Sequence, residues 1–263
     1  MKDNEIKNSC ELNECCEWYL EYVIHKNRPG LLGDITSLMG MLDINIVAIN
    51  GMDDRTRGMI IHAADHEIVE MMGKMLKKVN NITINALRPP KLVDRLAVRH
   101  GRYIERDTDD HKTFRFIRDE LGLLVDFLGE LCKRDGHQLI GLRGMPRVGK
   151  TESIIAGSVC ASKRWTFVSS TLLRQTVRNQ MSADEMLTSN VFIIDGIVST
   201  LRATEQHKEL LQEIMAMPAA KVIEHPDIFV RESRYTYDDF TCMIELRNTP
   251  DEVIHYDDFT NNM

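Results

Sequence analysis

At 263 residues, with 43% hydrophobic and 28% charged side chains, the chain has the make-up of a globular protein with room for two domains. A formal net charge of −7 gives generic nucleic-acid binding no overall electrostatic support, so no nucleic-acid partner is expected. No apolar run approaches the roughly 20 residues that span a bilayer, and MKDNEIKNSCELNECCEW lacks a signal-peptide core, so a cytoplasmic location without membrane contact is expected.

The six cysteines include no C-x-x-C pair. Cys10, Cys15 and Cys16 cluster in sequence without a histidine at zinc spacing, so reduced structural thiols are favoured over a metal or redox site.

From Trp18 the run WYLEYVIH predicts a strand, and KNRPG a turn. Leu31, Leu32, Ile35, Leu38, Met39 and Leu42 recur at helical spacing and predict a helix with one apolar face. INIVAIN predicts a short strand, DDRTRG a polar turn and MIIHAA the answering strand. Asp65 is placed to cap a second helix with Ile68, Met72, Met75, Leu76 and Val79 on its apolar face. NITINAL closes the set before Pro89-Pro90. The expected order is βαββαβ, a ferredoxin-like layer of helices on an antiparallel sheet.

The stretch HKNRPGLLGDITSLMGMLDINIVAIN resembles the ACT domain, a small regulatory module, and the resemblance covers about residues 18–88. Its most specific part is the turn Asn27-Arg28-Pro29-Gly30-Leu31-Leu32. The resemblance implies a small effector, an amino acid for example, held at Asn27, Gly30 and Leu31 beside a dimer interface, and so a homo-oligomer. A plainer reading stands beside it: Gly30 only permits a tight turn and the domain only dimerises.

Residues 89–136 are expected to connect two domains. Lys91, Arg95, Arg99, Arg102 and Arg106 form a basic stripe with Asp94 and Glu105 interspersed, which reads as an exposed face before it reads as a phosphate contact. Phe114, Ile117, Leu121, Leu124, Leu128 and Leu131 alternate three and four apart and predict one amphipathic helix, ended by Lys133-Arg134-Asp135-Gly136.

The third segment, 137–263, opens with HQLIGLRG, a strand, and GMPRVGKT, which has the phosphate-loop spacing G-x-x-x-x-G-K-[ST]. KTESIIAGSVCASK is then helical, so the loop is expected between a strand end and a helix N-terminus that favours phosphate. Gly144, Met145, Pro146, Arg147, Val148, Gly149, Lys150, Thr151 and Glu152 are the candidate cofactor-binding residues for ATP or GTP with Mg²⁺. Backbone N–H groups would cradle phosphate, Lys150 would reach the outer phosphates, and Thr151 would hold the ion. VFIID places Asp195 at a strand end as the second metal-directed residue. Further strands at WTFVSS, AKVIEH and TCMIEL, with helices such as TEQHKELLQEIMAM between them, predict a mostly parallel α/β sheet.

VSSTLLRQTVRNQMS resembles the substrate-binding stretch of small-molecule kinases such as 2-phosphoglycerate kinase and, more loosely, adenylate kinase. The resemblance implies an anionic metabolite held by Ser169, Ser170, Arg174 and Arg178 at the start of a helix. It also implies lid arginines, Arg231 and Arg234 of EHPDIFVRESR, that stabilise the transferring phosphate, although plain surface charge accounts for them as well. With Lys150 and Asp195, the arginines Arg174, Arg231 and Arg234 are the candidate catalytic set.

Two departures stand out. Thr171 replaces the acidic residue those kinases carry after the serine pair, and Gly196 replaces the glutamate that many ATPases use as a base. As a whole chain, the domain order resembles an uncharacterised Bacillus family called YmfK-like. Three readings therefore stand: first a metabolite kinase regulated by an effector, which is favoured, then a nucleotide-binding switch with little turnover, and then an AAA-type motor suggested by Asn248-Thr249. The motor ranks last, because Asp195 lacks its acidic partner.

Overall fold

The computed structural model describes residues 17–107, 110, 112–170 and 176–254. The chain is α/β and divides into two compact units, the first ending at Tyr103 and the second beginning at Ile104.

The first unit runs β1 (Glu17–Ile24), α1 (Leu31–Met41), β2 (Asn45–Gly51), β3 (Thr56–His62), α2 (His66–Leu76), β4 (Ile82–Arg88) and α3 (Leu92–His100). Its four strands are antiparallel in the order β2-β3-β1-β4. Period-two alternation explains how the sheet is covered. Leu20 and Tyr22 of β1 join Ile35 and Met39 of α1, Met59 and Ile61 of β3 and Met72 and Leu76 of α2 in one core. Tyr19 and Ile60 point the other way and meet Val98 of α3. Asp65 caps α2, accepting from Glu67 N at 3.0 Å. The turn before β3 is shorter than expected, because Thr56, Arg57 and Gly58 belong to the strand. Asp53 closes it by accepting from Arg55 N, Thr56 N and the Thr56 hydroxyl.

Helix α3 is therefore part of the first unit and not of a separate connector. Arg88 binds Asp94 through two nitrogens, at 2.5 and 2.9 Å, and so ties the end of β4 to the first turn of α3. Of the basic stripe, Arg95 pairs with Glu17 and Arg106 lies over the Phe114 ring, so these two cations are engaged within the chain.

The second unit runs β5 (Glu105–Arg106), β6 (Thr113–Ile117), α4 (Leu121–Lys133), β7 (Gln138–Gly144), α5 (Lys150–Cys160), β8 (Trp165–Phe167), β9 (Ser169–Ser170), β10 (Thr176–Val177), β11 (Val191–Asp195), α6 (Gly196–Leu201), α7 (Glu205–Ala216), β12 (Ala220–Glu224), α8 (Pro226–Glu232) and β13 (Cys242–Arg247). Seven strands form a mixed sheet, β5-β6-β13-β7-β12-β11-β8, parallel except where β5 meets β6. Strands β11 and β12 are buried at every residue, the pattern of a sheet covered on both faces.

The seam expected along one helix spans two elements. Phe114 and Ile117 lie in β6, where Thr-Phe-Arg-Phe-Ile alternates at strand period and pairs with β13. Phe114 and Phe116 both pack on Phe127 of α4, with ring centroids 4.7 and 5.5 Å away. Glu120 turns the corner by accepting from Ile117 N at 3.0 Å, and the helix starts only at Leu121. Likewise Thr176 and Val177, expected inside a helix, pair with Ser170 and Ser169 as an antiparallel ribbon. Among the described residues no helix is long and apolar enough to cross a membrane.

Candidate functional site

The loop from Gly144 to Thr151 leaves the C-terminal end of β7 and enters α5 at Lys150. Gly149, at φ 109°, is the residue before the helix, a backbone state that a side chain would strain. The first N–H groups of an α-helix have no intrahelical partner, so this end of α5 presents donors and positive dipole. Lys150 is 7% exposed, and its Nζ donates to the carbonyls of Gly144 at 2.7 Å and Met145 at 2.9 Å. Burial lowers its pKa, while Glu224, Asp195 and Glu152 act in the opposite sense. Val148 is buried; Pro146, Arg147 and Glu152 are exposed.

Two strand ends converge on this loop. Asp195 closes β11 and is the register partner of Glu224, which closes β12. Asp195 Oδ1 caps α6, accepting from Ile197 N at 3.0 Å and Val198 N at 3.1 Å. Glu224 accepts the Thr151 hydroxyl at 2.5 Å. Burial pushes the Glu224 carboxyl up to about 7, with Asp195 adding to the rise and the Thr151 bond opposing it. His225 follows at φ 55° and turns the chain into α8, whose first residue is Pro226. Its imidazole is pushed down to about 4 by burial. Gly196 is explained by this turn: a Cβ there would lie 2.6 Å from the His225 carbonyl oxygen and 2.8 Å from that of Glu224.

The residues expected on the acceptor side are mostly engaged within the chain. Ser169 is 1% exposed, receives Asp195 N at 2.8 Å, and lies 2.6 Å from the Ser199 hydroxyl. Ser199 in turn meets His207 Nε2 at 3.0 Å, and His207 Nδ1 meets the Arg178 carbonyl. Ser170 is buried too. The Arg178 guanidinium forks onto Glu185 at 2.7 and 3.1 Å. Arg231 pairs with Glu232, and Arg234 lies over the ring of its neighbour Tyr235. Arg174 and Thr171 lie outside the described residues, as do Cys10, Cys15 and Cys16. Asn248 binds Glu252 through its side-chain amide at 2.9 Å, a local turn contact.

Residues 84–263 match a family model described as a protein of unknown function (DUF3388). The chain is also 65% identical over 241 residues to the uncharacterized protein YmfK of Bacillus subtilis (strain 168), an alignment covering 92% of this chain and 90% of that one. The chain belongs to this family. The resemblance to YmfK-like proteins is thereby borne out.

Within the DUF3388 match lie the loop, Asp195 and Glu224, whereas the turn at Asn27 precedes it. At that turn Gly30 adopts φ 82° immediately before α1, Asn27 is exposed, and Arg28 bridges to Asp34. Leu31 is 3% exposed within the core, so its side chain is spent on packing.

Three contributors were absent from the sequence-based site. Glu224 is the first, and its signal was present: AKVIE delivers a carboxylate at a strand end just as VFIID does. Arg143 and Asp227 are the others. Arg143, one residue before the loop, binds Asp227 through Nε and Nη2 at 2.7 to 3.0 Å, clamping the first turn of α8 to β7. Tyr237 donates to the same carboxylate at 2.8 Å. Of the thiols, Cys132 and Cys242 are buried and pushed up to about 11 and 12, which makes them poor nucleophiles.

Proposed function

We propose that the second unit is a phosphate-loop domain that binds ATP or GTP with Mg²⁺, and that the first is a ferredoxin-like ACT domain that senses a small effector. One observation carries the nucleotide reading. The Gly144–Thr151 loop joins a parallel strand to a helix N-terminus, and its lysine is folded back onto loop carbonyls that phosphate oxygens would replace as partners. Thr151 stands where an oxygen-seeking cation would be held, with one of the two strand-end carboxylates, Asp195 or Glu224, as the partner donor. When bound, Mg²⁺ would neutralise charge on the outer phosphates. Among the described residues no group of three or more His, Cys, Asp or Glu is gathered as a metal cage, which suits an ion completed by phosphate and water.

Of the two uses of nucleotide, the described residues favour a regulatory switch. Ser169 and Arg178, two of the groups expected to hold a phosphate acceptor, are already bonded within the chain. The kinase reading rests on Arg174, with Arg231 and Arg234, and phosphoryl transfer relies more on positioning than on a strong base. A screen of small metabolites with ATP and Mg²⁺, comparing wild type with Lys150→Ala, decides between them. Firm binding with negligible transfer supports the switch; phosphate appearing on any metabolite selects the kinase.

Binding itself is tested by thermal shift. Nucleotide at about 100 Kd stabilises by roughly 2.7 kcal/mol, and Lys150→Ala should lose most of that gain. Equal shifts in the two proteins would rule out the loop as the nucleotide site. Exposed Leu32, Met41, Met71 and Met75 on α1 and α2 support a homo-oligomer formed through the first unit.

A further inference from the structure

Resting on the nucleotide reading above, we propose that Glu224, carried by the strand between β7 and β11, supplies the carboxylate that faces the nucleotide's Mg²⁺ beside Thr151, while Asp195 serves mainly to hold α6. Four observations bear on this assignment.

The first is contact. The Thr151 hydroxyl, the group a phosphate loop offers to Mg²⁺, lies 2.5 Å from Glu224 Oε1. The second is topology. Strand β12 intervenes between β7 and β11, so a carboxylate at its end stands one strand nearer to the loop than Asp195 does. The third is how each carboxylate is used. Asp195 Oδ1 is committed to two backbone N–H groups at the start of α6. The fourth is burial: Glu224, 7% exposed, is enclosed much as Asp195 is at 1%, and where Asp195 has two backbone N–H groups to stabilise its charge, Glu224 has the Thr151 hydroxyl, which a cation would supplement.

The donor set fits the ion. A hydroxyl and a carboxylate are hard oxygen donors, and Mg²⁺ is commonly held by one or two carboxylates plus substrate phosphate. Lys150 is placed for another task, since its ammonium already reaches the loop carbonyls at the phosphate-facing side. Gly196 closes the arrangement. Its missing side chain lets α6 press on the carbonyls of Glu224 and His225, so the end of β12 is held from behind by the helix that Asp195 caps.

The test measures ATP affinity by calorimetry in Mg²⁺ and in EDTA, on the full chain. Wild type should bind ATP more tightly with the metal. Glu224→Gln keeps the shape and a carbonyl acceptor for Thr151, and should lose ~10–100-fold of that gain while its affinity in EDTA stays within about twofold. Asp195→Asn should retain most of the gain. Glu224→Asp, which keeps the charge but withdraws it by one carbon, should show an intermediate loss and serves if the glutamine variant does not fold. A full metal gain in Glu224→Gln overturns the assignment. So does an equal loss in Asp195→Asn, which would mean that general charge and not contact is responsible. If wild type binds ATP under neither condition, the nucleotide reading falls with it, and if it binds equally under both, only the metal assignment falls.

Discussion

His207 Nδ1 stands 2.6 Å from the carbonyl oxygen of Arg178, and this contact sets the direction of every hydrogen bond from there to Asp195. A carbonyl only accepts, so Nδ1 carries the proton. Burial lowers the imidazole pKa and keeps the ring neutral, so Nε2 must accept, and Ser199 donates to it at 3.0 Å. With its proton used, Ser199 accepts from Ser169 at 2.6 Å, and Ser169 accepts from Asp195 N at 2.8 Å. The network is polarised from the end of β11 to Arg178, just past β10. Ser199→Ala interrupts it and strands the buried His207 Nε2, while the Ser169 hydroxyl can turn to the Asp195 carbonyl at 3.2 Å, so the change should cost about 1–3 kcal/mol in urea unfolding. The effects of Ser199→Ala and His207→Phe should sum to more than the double variant costs. Strict additivity would show that the four groups do not act as one network.

Gly196 gives a second prediction. Its Cβ would meet two carbonyl oxygens inside van der Waals distance, so Gly196→Ala should destabilise by about 1–3 kcal/mol and Gly196→Glu by more. Placing a glutamate after Asp195 should therefore damage the fold and confer no hydrolysis. A loss below about 0.5 kcal/mol for Gly196→Ala would mean that the end of β12 yields easily.

Lys221, at the opposite end of β12, predicts a pH dependence. It is fully buried, lies 2.9 Å from His137 Nδ1 and donates to the carbonyls of Met215 and Met217, and burial pushes its pKa down to about 8. The unfolded chain keeps this proton up to its ordinary value near 10.4, so between the two the unfolded state binds more protons and stability rises with pH. Wild type should gain on Lys221→Met across pH 8 to 10.4, by up to roughly 3 kcal/mol, while the neutral amine still donates. Parallel unfolding profiles for the two proteins would remove the buried charge from the account.

The sensor proposal is tested by coupling. An effector bound near Asn27 and Gly30 should change nucleotide affinity, and nucleotide should change effector affinity by the same factor, typically about 1–3 kcal/mol. Calorimetric titration of candidate amino acids, with and without ATP, measures both arms. Gly30→Val forces a β-branched side chain into φ 82° and should abolish effector binding. If no candidate binds, and removing residues 1–103 changes only the oligomeric state, the first unit is a dimerisation module.

What was legible in the sequence was local. The loop spacing, the apolar run ending at Asp195, the Asp65 cap and the βαββαβ order all depend on neighbours within a few residues. What was missed depends on partners far along the chain. Glu224 belongs beside Thr151 only because β12 inserts between β7 and β11, which no window of sequence displays. Phe114 and Ile117 keep helical spacing with Leu121, yet their pairing partner is β13, more than a hundred residues away. Around Arg178 the arginine spacing predicts a helix, but Thr176 and Val177 pair with Ser170 and Ser169, next to buried bonds from Ser169 to Ser199 and from Arg178 to His207.

The position of β13 bears on how the second unit is made. It is the last of the described strands, yet it lies between β6 and β7, which are joined by α4 and synthesised together. A growing chain that has reached Phe240 thus has two half-sheets with facing unpaired edges and no way to join them. The sheet closes only when Cys242–Arg247 enters between them, a late, long-range step of the kind that slows folding and leaves apolar edges open to chaperones or to other chains.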